Sequence, residues 1–216
     1  MRKTPERRRL IILGAGRQAR NVNDICLAGG IEVEGFLDDT KTIGERVNDV
    51  PVLGRFDLAK DARLIKEFDW IVGLGDNETR WRLSRDIRTR GGRLASVIHP
   101  TCVISPTAEV GSGVSMNVHS CVLANAQVGD YVVITSNSTI GEDCIVEEAV
   151  LIGPGCTLAG GSRVGRCALI GAGAVILDGA PVGAHSVIGA GATVISEIPP
   201  YALAVGTPAR VKKGLR

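Results

Sequence analysis

The chain has 216 residues, and Lys+Arg 25 against Asp+Glu 23 leaves a formal net charge of +2. That balance gives no reason to expect non-specific nucleic-acid binding, and no apolar run approaches the ~18 residues of a membrane-spanning helix. Gly is 28 of 216 residues, against three Phe, two Trp and two Tyr, which excludes a core of large side chains and directs the search to a repeat of small aliphatic residues.

The start, Met1–Arg9, is basic and reads as a solvated tail. The apolar stretch after it is four residues long and ends in a glycine turn, so it is no signal peptide and the cytoplasm is the expected location. Arg9–Leu13 reads as a strand. It runs into Gly14-Ala15-Gly16-Arg17-Gln18-Ala19, which matches G-x-G-x-x-A, and a helix follows through Leu27. Ile31–Leu37 is a second strand ending in Asp38-Asp39. Phe56–Phe68 reads as a helix, Trp70–Leu74 as a strand, Asn77 as the N-cap of a helix through Arg90, and Arg93–Ile98 as a strand. This β-α-β-α-β-α-β order predicts a small parallel, Rossmann-like sheet over residues 1–97. The glycine turn lets backbone approach a phosphate at a helix N-terminus, and an acid 24 residues after Gly14 suits a ribose or base. The motif points to a nucleotide without saying which.

From Ile98 the chain changes character. Residues 98–198 carry ten charged side chains, eight acids and two arginines. Stepping by six from Ile98 to Val194 meets an aliphatic residue every time, and four residues after each lies a mostly small one, such as Cys102, Ala108 or Ser120. A six-residue period fits neither a helix nor a hairpin. It fits a triangular solenoid of short parallel strands, with 18 residues per coil and coils stacked ~4.8 Å apart. Residues 98–216 form this second domain. Ile170-Gly171-Ala172-Gly173-Ala174 and Ile188-Gly189-Ala190-Gly191-Ala192 are 18 apart and stack, making a small-residue groove. Arg210, with Lys212, Lys213 and Arg216, reads either as a contact for an anionic ligand end or as a solvated tail. The six cysteines show no C-x-x-C spacing. Cys102, Cys144 and Cys156 fall on inward positions, and Cys102 and Cys156 are three coils apart, beyond disulfide reach. The three histidines, His99, His119 and His185, do not converge, which argues against a zinc site.

The two halves together resemble one family of sugar acetyltransferases, the group that includes bacillosamine-pathway and perosamine N-acetyltransferases and sialic-acid O-acetyltransferases. The segments that carry the resemblance are Gly14-Ala15-Gly16, Phe36-Leu37-Asp38-Asp39, Leu74-Gly75-Asp76-Asn77-Glu78-Thr79-Arg80, Ile98-His99-Pro100 and Val205-Gly206-Thr207-Pro208-Ala209-Arg210. The resemblance implies a left-handed parallel β-helix, a homotrimer, acetyl-CoA as cosubstrate, no metal, and a nucleotide-linked amino sugar, UDP- or GDP-linked, acetylated for bacterial surface glycan synthesis. It implies substrate contacts at Gly14, Gly16, Asp38, Asp39, Asn77 and Arg80. It implies CoA contacts at Gly160, Ala172, Ala190, Thr207, Pro208 and Arg210.

Catalysis would fall to Glu142, Asp143 and His119. Here the chain departs from the family. The stretch that usually reads Ile-Gly-His-Asp-Cys is Ile140-Gly141-Glu142-Asp143-Cys144, and a second family histidine is Leu151. Three readings stay open: Glu142 is the base, as carboxylates can be when burial raises their pKa; the amine attacks without a side-chain base; or the protein binds its ligands without turnover. Loss of histidine favours an amine acceptor over a hydroxyl. His119 and Glu142 sit at different corners of one prism and could meet only across a trimer interface. G-x-G-x-x-A with Asp38 also fits an NAD-dependent enzyme, but the solenoid does not resemble a catalytic domain for one.

Overall fold

The computed structural model describes residues 9–215. The basic start, apart from Arg9, and Arg216 lie outside the described residues. Arg9 pairs with Glu34 and lies over the Phe68 ring.

Strand β1 (Leu10–Leu13) has all four residues buried, as a strand at the centre of a covered parallel sheet should. It lies between β2 (Val33–Leu37) and β5 (Asp69–Val72), parallel to both. Helix α1 (Arg17–Ala28) covers the crossover from β1 to β2. The hairpin β3 (Arg46–Val47) and β4 (Val50–Gly54) has no counterpart in the sequence reading; β4 adds in parallel to β2 and extends the sheet. The helix expected over Phe56–Phe68 is broken. It is a 3-10 turn, Phe56–Lys60, and a one-turn helix α2 (Leu64–Glu67). The break is at Asp61, whose carboxylate accepts from the Arg63 and Leu64 amides at 2.8 and 3.0 Å and so caps a new turn. Helix α3 (Asn77–Thr89) is capped by Asp76, which accepts from Thr79 N at 2.8 Å. Asn77, expected as the cap, is thereby the first helical residue. Strand β6 (Arg93–Leu94) completes the sheet in the order β3-β4-β2-β1-β5-β6.

The expected strand Arg93–Ile98 is two strands in different sheets. Val97–Ile98 pairs with Ser115–Met116, not with β5. Between them Ser96 donates to the Gly111 carbonyl and accepts from Val114 N, stitching the connection onto the solenoid.

From Val97 the chain winds three parallel sheets as the faces of a prism. The first face runs from Val97–Ile98 to Val187–Ile188, the second from Val103–Ile104 to Thr193–Val194, the third from Glu109–Val110 to Pro181–Val182. Each strand is two residues long, and partners are 18 apart, as in Met116↔Ile134. The second residue of each strand points inward. From Met116 to Val194 these residues are buried, whereas Ile98, Ile104 and Val110 of the end coil are only partly covered. Several inward Ser and Cys donate to corner carbonyls of the next coil, as Ser120 Oγ to Thr135 O at 2.7 Å and Cys156 Sγ to Gly171 O at 3.1 Å. All six cysteines are free. Ala202–Val205 stacks on the first face and pairs antiparallel with Arg210–Gly214, so the part of the expected tail that carries Arg210, Lys212 and Lys213 is an exposed edge strand.

From Gly113 to Gly191 each corner turns on one residue with positive φ. At two corners that residue is mostly Gly, Asn or Asp, which tolerate it. At the corner between the third and first faces it is Tyr131, Ala149, Cys167, His185 and Tyr201 in successive coils, with φ of 54–61°. The N-terminal sheet docks on this corner through α3. Arg80 is 1% exposed. Its guanidinium donates to the carbonyls of Tyr131 (2.9 Å), Leu74 (2.9 Å) and Ala149 (2.7 Å) and to Asn77 Oδ1 (2.8 Å). Asn77 Nδ2 in turn donates to the Cys167 and Ala168 carbonyls at 3.0 and 2.9 Å. Burial pushes the Arg80 pKa down to about 10, and the guanidinium stays charged at neutral pH.

Arg80→Ala would leave three carbonyls short of a donor. We expect it to cost at least ~3 kcal/mol in urea unfolding. Arg80→Lys should recover little, because an ammonium cannot reproduce the planar fork. A loss below ~1 kcal/mol for the alanine variant would mean that the carbonyls find water instead.

Candidate active site

Strand β1 delivers the glycine turn to the carboxyl edge of the parallel sheet, where ligands of open α/β sheets bind. Gly14 and Gly16 do different work. Gly14 has φ +99°, and a Cβ there would lie 2.8 Å from Leu74 Cδ2 and 3.0 Å from Gly73 O, so it is required by the fold. Gly16 caps α1, and a Cβ there would meet nothing within 4 Å. The space beside Gly16 is therefore open to a ligand.

Asp38 and Asp39 also divide. Asp38 is buried, and its carboxylate accepts from Ala15 N (2.8 Å), Thr40 N (2.8 Å), Thr40 Oγ1 (2.6 Å) and Lys41 N (3.2 Å). It ties the glycine turn to the loop after β2. Asp39 is exposed, accepts from Phe56 N at 3.0 Å and lies 3.7 Å from Arg55. It lines a cavity of about 640 Å³ with Leu13, the cations Arg55, Lys60, Arg82 and Arg90, and the acids Asp57 and Asp86. The cations come in two pairs, Arg55 and Lys60 from the 3-10 turn and its cap, Arg82 and Arg90 from α3 and its cap, so no single sequence motif announces them. Asn77 and Arg80, expected as substrate contacts, make hydrogen bonds to the solenoid backbone, to Leu74 O and to each other, and so hold the dock.

Glu142 and Asp143 lie on the corner between the second and third faces, both exposed. Asp143 has φ 56°, and its carboxylate accepts from Asn125 Nδ2 at 3.2 Å. Gly160 sits one coil further along the same corner, with Gly161 N donating to Glu142 O at 2.8 Å. His119 is exposed on the corner between the first and second faces, and its amide donates to Thr101 Oγ1 at 3.0 Å. Ala172 and Ala190 stack on that same corner. A Cβ at Gly171 would lie 2.6 Å from Ala190 N, so glycine is what lets these coils close up. Thr207 joins them, donating to Gly191 O at 3.2 Å, and Pro208 and Arg210 follow. One chain thus gathers Ala172, Ala190 and Thr207, keeps Gly160 with Glu142, and holds His119 apart from both acids. Among the described residues the donors of Glu78, Cys167 and His185 lie within 4.8 Å of one another. Burial, and then the Glu78 charge, pushes the Cys167 thiol up to about 12.

Two family models match the chain, the PglD N-terminal domain over residues 9–87 and the bacterial transferase hexapeptide (six repeats) over residues 143–178. Among solved structures, a perosamine N-acetyltransferase from Caulobacter crescentus, a histidine-to-asparagine mutant in complex with CoA and GDP-perosamine, is 33% identical. It superposes with a TM-score of 0.90 over 95% of this chain and 97% of that one. The chain belongs to the hexapeptide-repeat sugar acetyltransferases. The acetyltransferase domain of PglB from Neisseria gonorrhoeae, in complex with acetyl coenzyme A, is 32% identical at a TM-score of 0.89, covering 95% of this chain and 99% of that one. WeeI from Acinetobacter baumannii, 23% identical at a TM-score of 0.85 over 94% of this chain and 99% of that one, shares the fold. An uncharacterized protein of Acanthamoeba polyphaga mimivirus is 29% identical over 115 residues, which span 53% of this chain and 22% of that protein.

The four hydrogen bonds to Asp38 outweigh the upward push of its burial and hold its carboxyl below the usual range. A lowered folded-state value means that its contribution to stability is present above the unfolded value of ~3.9 and is lost as pH falls through the folded one. Stability should therefore fall more steeply below about pH 4 in the native protein than in Asp38→Asn. Parallel pH profiles in thermal unfolding would contradict this.

Proposed function

We propose that the protein transfers an acetyl group from acetyl-CoA to the amine of a nucleotide-linked amino sugar, UDP- or GDP-linked, for surface glycan synthesis. The observation that carries this reading is the near whole-chain superposition on an enzyme that holds CoA and GDP-perosamine. Open space at Gly16 suits a nucleoside diphosphate, and in the cavity beside Asp39 the side chains of Lys60 and Arg82 suit its phosphates. The stacked Ala172 and Ala190, with Thr207, Pro208 and Arg210 beyond them, suit a pantetheine arm and its phosphate end, and Gly160 lines the corner that carries Glu142.

In this reading the neutral amine attacks the thioester carbonyl. The C–N bond forms, the C–S bond breaks, and the proton lost by nitrogen ends on the departing CoA sulfur. Glu142 takes that proton and passes it on, with Asp143 beside it. The half-sites lie on different corners, so the complete site needs neighbouring copies, and the arrangement proposed is a homotrimer. The outward small residues of the second face support it, with Val103 63% exposed. There a neighbour's His119 could approach Glu142. Among the described residues no helix is long and apolar enough to cross a membrane, and a cytoplasmic location fits the CoA cosubstrate. A second reading, binding without turnover, is favoured by the acid at the position where the family usually has histidine.

Two experiments test this. Gly16→Val fills the open space without crowding the fold. It should abolish UDP- or GDP-sugar binding in calorimetry and leave CoA binding intact, whereas equal loss of both would remove the nucleotide assignment. Glu142→Gln should lower acetyl transfer about 10²–10⁴-fold with little change in binding, the range for a positioned base. Unchanged turnover would show that the amine needs no base. If the native protein binds CoA but acetylates no UDP- or GDP-linked amino sugar, the binding reading stands, and Glu142→His becomes the variant to assay for gained activity.

A further inference from the structure

Among the described residues one buried side-chain nitrogen has no hydrogen-bond partner, Nε of Arg166. Buried donors in folded proteins are almost always paired, so this one calls for a cause. Arg166 lies on the docking corner, with its guanidinium 4.7 Å from the centroid of the Trp81 ring. Arg85, one turn after Trp81 on α3, lies 4.8 Å from the same centroid. Arg88 lies 5.0 Å over Tyr131. Together with Thr89 and Glu148 these residues line a cavity of about 370 Å³.

The charges there are not balanced within the protein. Arg88 is held by Asp130 at 2.7 Å. Glu148 accepts from Trp81 Nε1 at 2.8 Å. Glu147 is engaged by the Arg166 backbone amide at 2.7 Å, not by its guanidinium. Arg85 and Arg166 therefore have no carboxylate partner among the described residues, though both are gathered about one indole. Cation–π attraction to Trp81 offsets part of their mutual repulsion, and an oxyanion between two guanidinium forks would offset the rest.

We infer that this cavity binds a phosphomonoester of a polyhydroxy compound. Arg85 and Arg166 hold its phosphate, and Glu148 accepts from a hydroxyl beside it. The Glu148 carboxylate repels a bare anion but rewards one that carries a donor, which is why the class is a phosphomonoester. A groove of about 670 Å³ along the third face shares Glu148 and Arg166 with the cavity and has room for the organic part. The cavity lies at the docking corner, across the third face from the corner of Glu142, and the inference is independent of the acetyl-transfer reading.

The test uses the full chain in phosphate-free buffer, titrated with inorganic phosphate and with glucose 6-phosphate, followed by calorimetry and tryptophan emission. Both should bind saturably and change the emission, the ester more tightly. Arg85→Gln and Arg166→Gln should each weaken binding about tenfold or more, and Gly16→Val should not. Arg85 is exposed, so its variant tests the site even if Arg166→Gln fails to fold. No saturable response to either probe up to about 10 mM, or full affinity in both arginine variants, would overturn the inference and leave the arginines as packing for Trp81. Binding of phosphate without the sugar phosphate would overturn the assigned ligand class.

Discussion

The placement of everything else depends on one buried guanidinium. A charge taken out of water is costly unless its donors are met, and Arg80 meets them with backbone carbonyls from two coils of the solenoid, Tyr131 and Ala149, and with its own domain through Leu74 and Asn77. The solenoid supplies those carbonyls because a left-handed corner residue turns its C=O out of the ladder. At an exposed corner water would satisfy them. At this corner Arg80 does, and Asn77 serves the next two, Cys167 and Ala168. The dock is in register with the solenoid because Arg80 and Asn77 read the backbone of three consecutive coils at the coil spacing.

The prism then divides its three corners among three tasks. The corner between third and first faces takes the N-terminal sheet. The one between second and third faces carries Glu142 and Gly160. The one between first and second faces carries the stacked Ala172 and Ala190 and the Thr207 turn. Side chains at different corners of one prism are separated by its packed aliphatic interior, so no rotamer change brings them together. In the proposed reading this separation, more than the apolar faces, is the reason for a site completed by a neighbouring copy.

The solenoid was legible because its constraint is periodic. A prism interior admits one aliphatic residue per face per coil, and Ile98 to Val194 satisfy that rule without a slip. The glycine turn was legible because backbone geometry demands Gly14. What sequence reasoning missed depends on contacts between distant segments. Arg55, Lys60, Arg82 and Arg90 become one cavity wall only when the 3-10 turn packs against α3. Asn77 looks like a cap until Asp76 takes that role. The hairpin Arg46–Gly54 was missed because each strand is short and lacks alternation. The docking corner did leave a signal: at positions where the other corners carry mostly Gly, Asn or Asp, the sequence holds Tyr131, Ala149, Cys167 and His185. Residues other than Gly, Asn or Asp at a strained φ, with Tyr131, Ala149 and Cys167 buried, mark a place where side-chain burial outweighs backbone preference.

If the proposed chemistry holds, the acid at position 142 constrains the acceptor. A carboxylate is a weaker base than imidazole by about two pKa units. A hydroxyl must be losing its proton as it attacks, which asks for the stronger base. An amine attacks with its lone pair first and becomes acidic only once the C–N bond has formed, so a weak base suffices at that moment. Exchange of the family's histidine for glutamate would therefore be severe for O-acetylation and mild for N-acetylation. Among sugar acetyltransferases of both kinds, a chain with Glu142 in this position is the one expected to act on nitrogen.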